Sequence, residues 1–201
     1  MSIGIVILAA GESKRMGEPK QLLDFRGETL LQHAIDTALS IPDAPVAVVF
    51  GARAAEMRAQ VNDPRVLVAE NSAWREGMGG SLRAGLRALL AAEPYVSAVV
   101  FMLCDQPLVS GATLRQLMST HEQTGCAIVA SEYGDTLGVP ALFAASLFPE
   151  LLALNSGGGA RQIIHAHPEK VASVPFPDGA IAIDTPADYA RLRHRLSPPP
   201  V

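Results

Sequence analysis

Ile3-Gly4-Ile5-Val6-Ile7-Leu8-Ala9-Ala10-Gly11 is the stretch on which the fold turns. Ile3–Leu8 is a continuous apolar run with no polar alternation. Such a run suits a strand buried on both faces, in a parallel sheet held between two helix layers. The run stops at Ala-Ala-Gly, where the backbone is free to turn. The same sign recurs along the chain. Val46–Phe50 ends at Gly51, and Val66–Ala69, Ala98–Leu103, Ala127–Ala130 and Val171–Val174 follow. The intervening segments carry helical stripes. Thr29–Leu39 places Leu30, Leu31, Ala34, Ile35 and Ala38 on one face, and Ser81–Ala92 does the same with Leu82, Leu86, Leu89 and Leu90. Gly111–Gln123 and Pro186–Leu196 behave likewise. The alternation predicts an α/β fold: a Rossmann-like, three-layer α/β/α domain with a mostly parallel central sheet. Gly138–Phe143 reads as an extra strand outside the alternation. Residues 1–196 form the expected domain, and the Pro-rich 197–201 a disordered tail.

Composition narrows the class. Of 201 residues, 49% are hydrophobic and 18% charged, and mean hydropathy is +0.23. That excludes intrinsic disorder. The longest apolar stretches, Ile3–Ala10 and Val96–Cys104, fall far short of the ~20 residues of a spanning helix. Lys14 and Arg15 follow the first apolar run instead of preceding it, so it does not read as a signal peptide. Sixteen Lys and Arg against 20 Asp and Glu give a net charge of −4 with no basic block. These features predict a soluble cytoplasmic protein with no nucleic-acid or membrane partner. Cys104 and Cys126 are far apart, form no CxxC, and read as buried thiols. His33, His121, His165, His167 and His194 show no metal spacing and read as surface or helix-face residues. No GxSxG surrounds Ser13, so hydrolase chemistry lacks support.

In a doubly wound sheet, ligands bind beyond the carboxyl ends of the strands. The loop Leu8-Ala9-Ala10-Gly11-Glu12-Ser13-Lys14-Arg15-Met16-Gly17-Glu18-Pro19-Lys20 follows the first strand. Its small residues allow close backbone approach, its successive N–H groups form an anion nest, and Arg15 and Lys20 add two cations. That chemistry suits a triphosphate, although neither a P-loop nor a GxGxxG turn is present. Composition alone also fits an ordinary surface turn. Asp105 ends the apolar run 99–103, where it can hold Mg²⁺ or cap the next helix. Asp184, just before Pro186, offers the same two readings. Gly79 and Gly80 leave N–H groups open at a helix start that Ser81 can cap. Trp74 reads as packing.

Together these motifs resemble the nucleotidyltransferases related to the molybdenum cofactor guanylyl- and cytidylyltransferases, of the nucleotide-diphospho-sugar transferase type. Leu8–Gly11, Ser13, Arg15-Met16-Gly17 and Lys20 match the LAAGxSxRMGxxK signature. Asp105-Gln106-Pro107 matches DQP, and Trp74 to Gly85 matches W..GM..SL..GL. Ala10 resembles the cytidylyltransferase branch; the GTP-using members tend to read LAGG. The resemblance implies transfer of CMP from CTP to molybdopterin or a related phosphorylated acceptor, with release of pyrophosphate. It implies Leu8, Ala9, Ala10, Gly11, Ser13, Arg15, Lys20, Gly79 and Ser81 on the nucleotide, with Arg15, Lys20 and Asp105 catalytic. Mg²⁺ would sit on Asp105, with Asp184 as second ligand. Gly138 and Arg161 fall on the acceptor side, and a molybdoenzyme or its maturation chaperone is an implied protein partner. Two departures stand out: Ala182 replaces an Asp of the family's DIDTPED segment, and Gly157-Gly158 replaces the Asp-Lys of its GDKGAR turn. Two alternatives remain: the same chemistry with GTP or on another acceptor such as a sugar phosphate, and a non-catalytic molybdopterin-binding chaperone.

Overall fold

The computed structural model describes residues 2–196. The expected disordered tail, 197–201, lies outside the described residues. In chain order the elements are β1 (Ser2–Leu8), β2 (Asp24–Phe25), β3 (Glu28–Thr29), α1 (Leu30–Leu39), β4 (Val46–Phe50), α2 (Ala54–Arg58), β5 (Val66–Glu70) and α3 (Met78–Ala92). Then follow β6 (Val96–Leu103), α4 (Gly111–Thr124), β7 (Ile128–Tyr133), β8 (Thr136–Ala144), α5 (Phe148–Ala153), α6 (Ala160–Ala166), β9 (Val171–Pro175) and α7 (Pro186–Leu196).

Seven strands form one sheet in the order β5-β4-β1-β6-β8-β7-β9. β8 runs antiparallel to β6 and β7; every other neighbouring pair is parallel. The run at 138–143 is therefore a strand, and a longer one than its apolar core predicts. It returns from β7 through Gly134-Asp135, with Gly134 at φ +58°, a conformation that glycine adopts without steric cost.

The apolar runs are buried on both faces. Ile5, Ile7, Val48, Val100 and Met102 pack with Leu31 and Ile35 of α1 and Leu114 and Leu117 of α4. Val6, Val49, Val99, Phe101 and Phe143 pack with Leu82, Leu86 and Leu89 of α3 and Ile163 of α6. Alternate residues of β1 and β6 thus serve opposite cores, which is why these runs need no polar positions. A Cβ on Gly85 would collide with Val6 and Val49, so α3 lies close against the sheet. A third, smaller cluster joins Met16 of the Gly-rich loop to Phe25, Leu30, Ile183 and Leu192. It fastens that loop to the C-terminal segment.

Local sequence explains the boundaries. Thr29 caps α1 by accepting from the Gln32 amide at 3.1 Å. Ser110 caps α4: its hydroxyl accepts from the Thr113 amide, and the Thr113 hydroxyl accepts in return from the Ser110 amide. Asp105 is therefore not that helix's cap. The Ser81 expectation fails. Helix α3 begins at Met78, with Gly77 as its N-cap, and Ser81 lies one turn inside. The reason is tertiary: the Gly79 amide donates to Ser156 O at 3.0 Å, and Arg83 donates to Leu154 O and, at 3.4 Å, to Ser156 Oγ. The 154–156 segment thus supplies the partners that start the helix early, and Gly79 N–H is not open. Cys104 is buried, as expected, whereas Cys126 is half-buried. Among the described residues, no helix is long and apolar enough to cross a membrane.

Candidate active site

Three chain turns meet beyond the carboxyl ends of β1 and β6. They are the Gly-rich loop after β1, the Asp105 turn after β6, and the start of α3 with the 3₁₀ turn Trp74–Glu76 before it. Between them lies a cavity of about 220 Å³, lined by Leu8, Ala9, Ala10, Gly11, Lys20, Gln21, Trp74, Met78, Ser81 and Asp105, among others. Of the residues expected on the nucleotide, Leu8, Ala9, Ala10, Gly11, Lys20 and Ser81 share this lining. Gly79 is tied into the Asn155–Ser156 turn, where a Cβ would collide with Asn155 O. The Ser81 hydroxyl accepts from Asn71 Nδ2 at 3.0 Å, and Asn71 Oδ1 accepts from the Ala73 amide at 3.2 Å. Trp74 packs over Gly51, and the Arg75 guanidinium stacks 4.2 Å above its ring centre.

The charges gather at one end of the cavity. Lys20 Nζ donates to Asp105 Oδ2 and, at 3.0 Å, to Asp184 Oδ1. Arg15 Nη2 lies 3.0 Å from Asp184 Oδ2. Lys20 and Asp105 side chains are only 13% and 14% exposed, whereas Arg15 is 70% exposed and reaches in from the rim. Burial pulls the Lys20 ammonium toward its neutral form, but Asp105 and Asp184 more than offset this and hold its pKa above the ordinary value. The adjacent Cys104 thiol is pushed up to about 12 by burial, with the Asp105 charge acting in the same direction.

The two readings of Asp184 separate here. Thr185 caps α7: its Oγ1 accepts from the Asp188 amide at 3.2 Å, and Asp188 Oδ2 accepts from the Thr185 amide at 2.7 Å. Asp184 does not make the cap, so its carboxylate is free to face Lys20 and Arg15. The residues fit a divalent cation. Asp105 Oδ1 is buried and without a hydrogen-bond partner among the described residues. It is a hard oxygen donor, and magnesium takes one or two protein carboxylates besides phosphate oxygens.

Arg161 and Gly138 meet each other but do not line this cavity. Arg161 Nη2 lies 3.5 Å from the Tyr133 hydroxyl, which itself donates to Val139 O at 3.2 Å. A Cβ on Gly138 would collide with that same hydroxyl and stand 3.3 Å from Arg161 Nε.

Sequence reading missed three residues that shape the site. Gln21 is 2% exposed and donates to Ala9 O and Gly11 O, both at 2.9 Å. Gln106 donates to Val139 O at 3.2 Å and Gly179 O at 2.9 Å, tying the Asp105 turn to β8 and the C-terminal segment. His33 donates from Nε2 to Pro107 O at 3.0 Å, with Nδ1 2.9 Å from Glu28. The only sequence signal for Gln21 is a polar residue between Lys20 and two leucines.

The chain is similar in sequence and in fold to several known proteins. Nicotine blue oxidoreductase of Paenarthrobacter nicotinovorans is 32% identical over 198 residues, covering 95% of this chain and 94% of that protein. Rv0371c of Mycobacterium tuberculosis H37Rv superposes with a TM-score of 0.79 at 32% identity, over 96% of this chain and 98% of that one; the same protein has been solved in complex with manganese. A nucleotidyl transferase of Methanothermobacter (Mth528) gives a TM-score of 0.80 at 27% identity, over 96% and 97% of the two chains. The architecture is that of the nucleotide-diphospho-sugar transferases. The profile described as MobA-like NTP transferase domain matches residues 5–171, and the chain belongs to that family.

Proposed function

We infer that this protein is a nucleotidyltransferase that moves CMP from CTP to molybdopterin, or to a related phosphorylated acceptor, with release of pyrophosphate. The observation that carries the reading is the meeting of Lys20 with Asp105 and Asp184 at the mouth of a Gly-rich loop. An acceptor phosphate oxygen attacks the α-phosphorus in line. The bond from that phosphorus to the bridging oxygen breaks, and pyrophosphate leaves with the electron pair. The nucleophile is already anionic near neutral pH, so no general base is needed. Positioning and charge neutralisation carry the reaction. Lys20, Arg15 and the loop amides face the departing charge. Asp105, with Asp184, would hold Mg²⁺ or Mn²⁺, which when bound supplies neutralisation at the α-phosphate. The choice of CTP rests on Ala10, and that of molybdopterin on the resemblance of 74–85. Gly138 and Arg161 stand as acceptor-side candidates, and a molybdoenzyme or its maturation chaperone as the protein partner. A soluble cytoplasmic setting suits these substrates. Residues 1–196 would act as one catalytic unit, and the remaining residues as its tail.

The test incubates the protein with molybdopterin, Mg²⁺ and each NTP in turn, reading pyrophosphate release and the mass of the dinucleotide. CTP-dependent formation of the cytosine dinucleotide is expected. Asp105→Ala should lower turnover at least ~10²-fold, the scale for removing a principal electrostatic stabiliser. Turnover with GTP alone, or only with a sugar phosphate, would replace the substrate assignment. CTP binding without pyrophosphate release would favour a carrier that delivers molybdopterin. Similarity to nicotine blue oxidoreductase favours a second reading, electron transfer on the same fold. Reduction of nicotine blue by a supplied electron donor, and no pyrophosphate release with any NTP, would select it.

A further inference from the structure

A loop that cradles an anion must present its N–H groups, so its carbonyls have to face elsewhere. The two groups leave opposite edges of one planar unit, and fixing the carbonyl therefore fixes the N–H. Three successive carbonyls of the Gly-rich loop are held by protein donors. Gln21 Nε2 donates to Ala9 O and Gly11 O, both at 2.9 Å, and the Ala52 amide donates to Ala10 O at 3.0 Å. The N–H groups on the same three planes belong to Ala10, Gly11 and Glu12. Among the described residues these donate to no protein acceptor. Gln21 Oε1 in turn accepts from Ser13 Oγ at 3.3 Å, and Ser13 Oγ accepts from the Lys20 amide at 3.0 Å. One buried carboxamide therefore uses both its hydrogens and its oxygen on the loop, and its network reaches the backbone of Lys20, the site's largely buried lysine.

We propose that Gln21 is the positioning residue of the phosphate loop: its carboxamide turns the Ala9 and Gly11 carbonyls away so that the loop amides point at the nucleotide. The proposal rests on reading this loop as the triphosphate site, and Gln21 itself touches no substrate. Two consequences follow from the chemistry. A residue of similar shape that cannot donate twice should loosen the loop. Replacement by a carboxylate should do so with a pH dependence, because a protonated carboxyl regains one donor and burial favours that form.

The experiment titrates the full chain with sodium tripolyphosphate, which has no base, and separately with CTP and Mg²⁺. Wild type is compared with Gln21→Glu and Gln21→Met, and thermal unfolding is recorded for each. Tripolyphosphate affinity should fall about tenfold or more in both variants, the scale of one or two lost hydrogen bonds. The KM for CTP should rise by a similar factor while the KM for the acceptor stays put. Gln21→Glu should recover part of its deficit relative to wild type as the pH falls from about 8 to about 5.5, and Gln21→Met should not. Ser13→Ala, which removes the hydroxyl that joins the Gln21 oxygen to the Lys20 amide, should weaken binding in the same direction by about twofold to fivefold. Binding within about twofold of wild type, in variants that unfold cooperatively, overturns the proposal. If both Gln21 variants fail to fold, unchanged binding by Ser13→Ala overturns it. A wild-type protein that binds neither tripolyphosphate nor any NTP sinks the triphosphate reading itself, and this proposal with it.

Discussion

Lys20 is pulled two ways. Burial disfavours its charge, and two carboxylates favour it, with the carboxylates prevailing. Removing it leaves Asp105 buried with an uncompensated charge, the costly half of a buried ion pair. Lys20→Met should therefore lower stability by about 3 kcal/mol near pH 7, read by urea unfolding. The sign of the pH dependence follows from the raised pKa. The contribution of the ammonium is fully present below the ordinary lysine value of 10.5 and is lost as pH rises through the higher folded value. The gap between wild type and Lys20→Met should thus stay constant from pH 6 to about pH 9 and shrink only in strong alkali. A gap that closes between those two values would contradict the pairing. Lys20 was legible as a cation of the loop; its partner Asp184, 164 positions away in the chain, was legible only as a metal ligand or a cap.

The helix α7 shows how capping assigns a neighbouring side chain. Thr185 and Asp188 satisfy the first turn between them, through the Thr185 hydroxyl and the Asp188 carboxylate. Asp188 is held below the usual carboxylate range by its bond from the Thr185 hydroxyl, with further bonds from the Thr185 and Asp184 amides. Its contribution is present above the ordinary value of 3.8 and is lost as pH falls through the lowered one. Thr185→Ala should cost about 1 kcal/mol, the usual value for a lost cap, measured by thermal unfolding at neutral pH. It should also weaken NTP binding, since Asp184 immediately precedes the cap. A stability loss with unchanged binding would detach the cap from the site. The early start of α3 is another element-scale effect. Helical periodicity in 81–92 was plain, but Met78, Gly79 and Gly80 join the helix because Ser156 supplies an acceptor to the Gly79 amide. No local pattern announces a partner so distant along the chain.

At the scale of the molecule, the sheet seals Cys104 at the end of β6 between the core and the site. It is 3% exposed, and burial has pushed its thiol to about 12. A neutral buried thiol is a poor nucleophile. In the folded protein an aromatic disulfide reagent should therefore modify Cys126 alone, and Cys104 should react only across the global unfolding transition. Two rapidly reacting thiols in the native state would show that this end of the sheet opens locally. The two-sided apolar runs, their alternation with helical stripes and the turn after β1 were readable in chain order. Burial on both faces demands apolar residues in succession, and helical packing demands a stripe. So the layered α/β sheet and the Gly-rich phosphate loop were within reach of the residues alone. The gathering of Lys20, Asp105 and Asp184 at one edge of the sheet was expected, but the antiparallel insertion of β8 between β6 and β7, the direct pairing of Lys20 with both carboxylates, and the clasp of Gln21 on Ala9 and Gly11 were not. Each depends on which partners the folded layers bring together, whether 10 residues away, as for Gln21 and Gly11, or 164, as for Lys20 and Asp184, and a buried polar group takes whichever partner comes within about 3 Å.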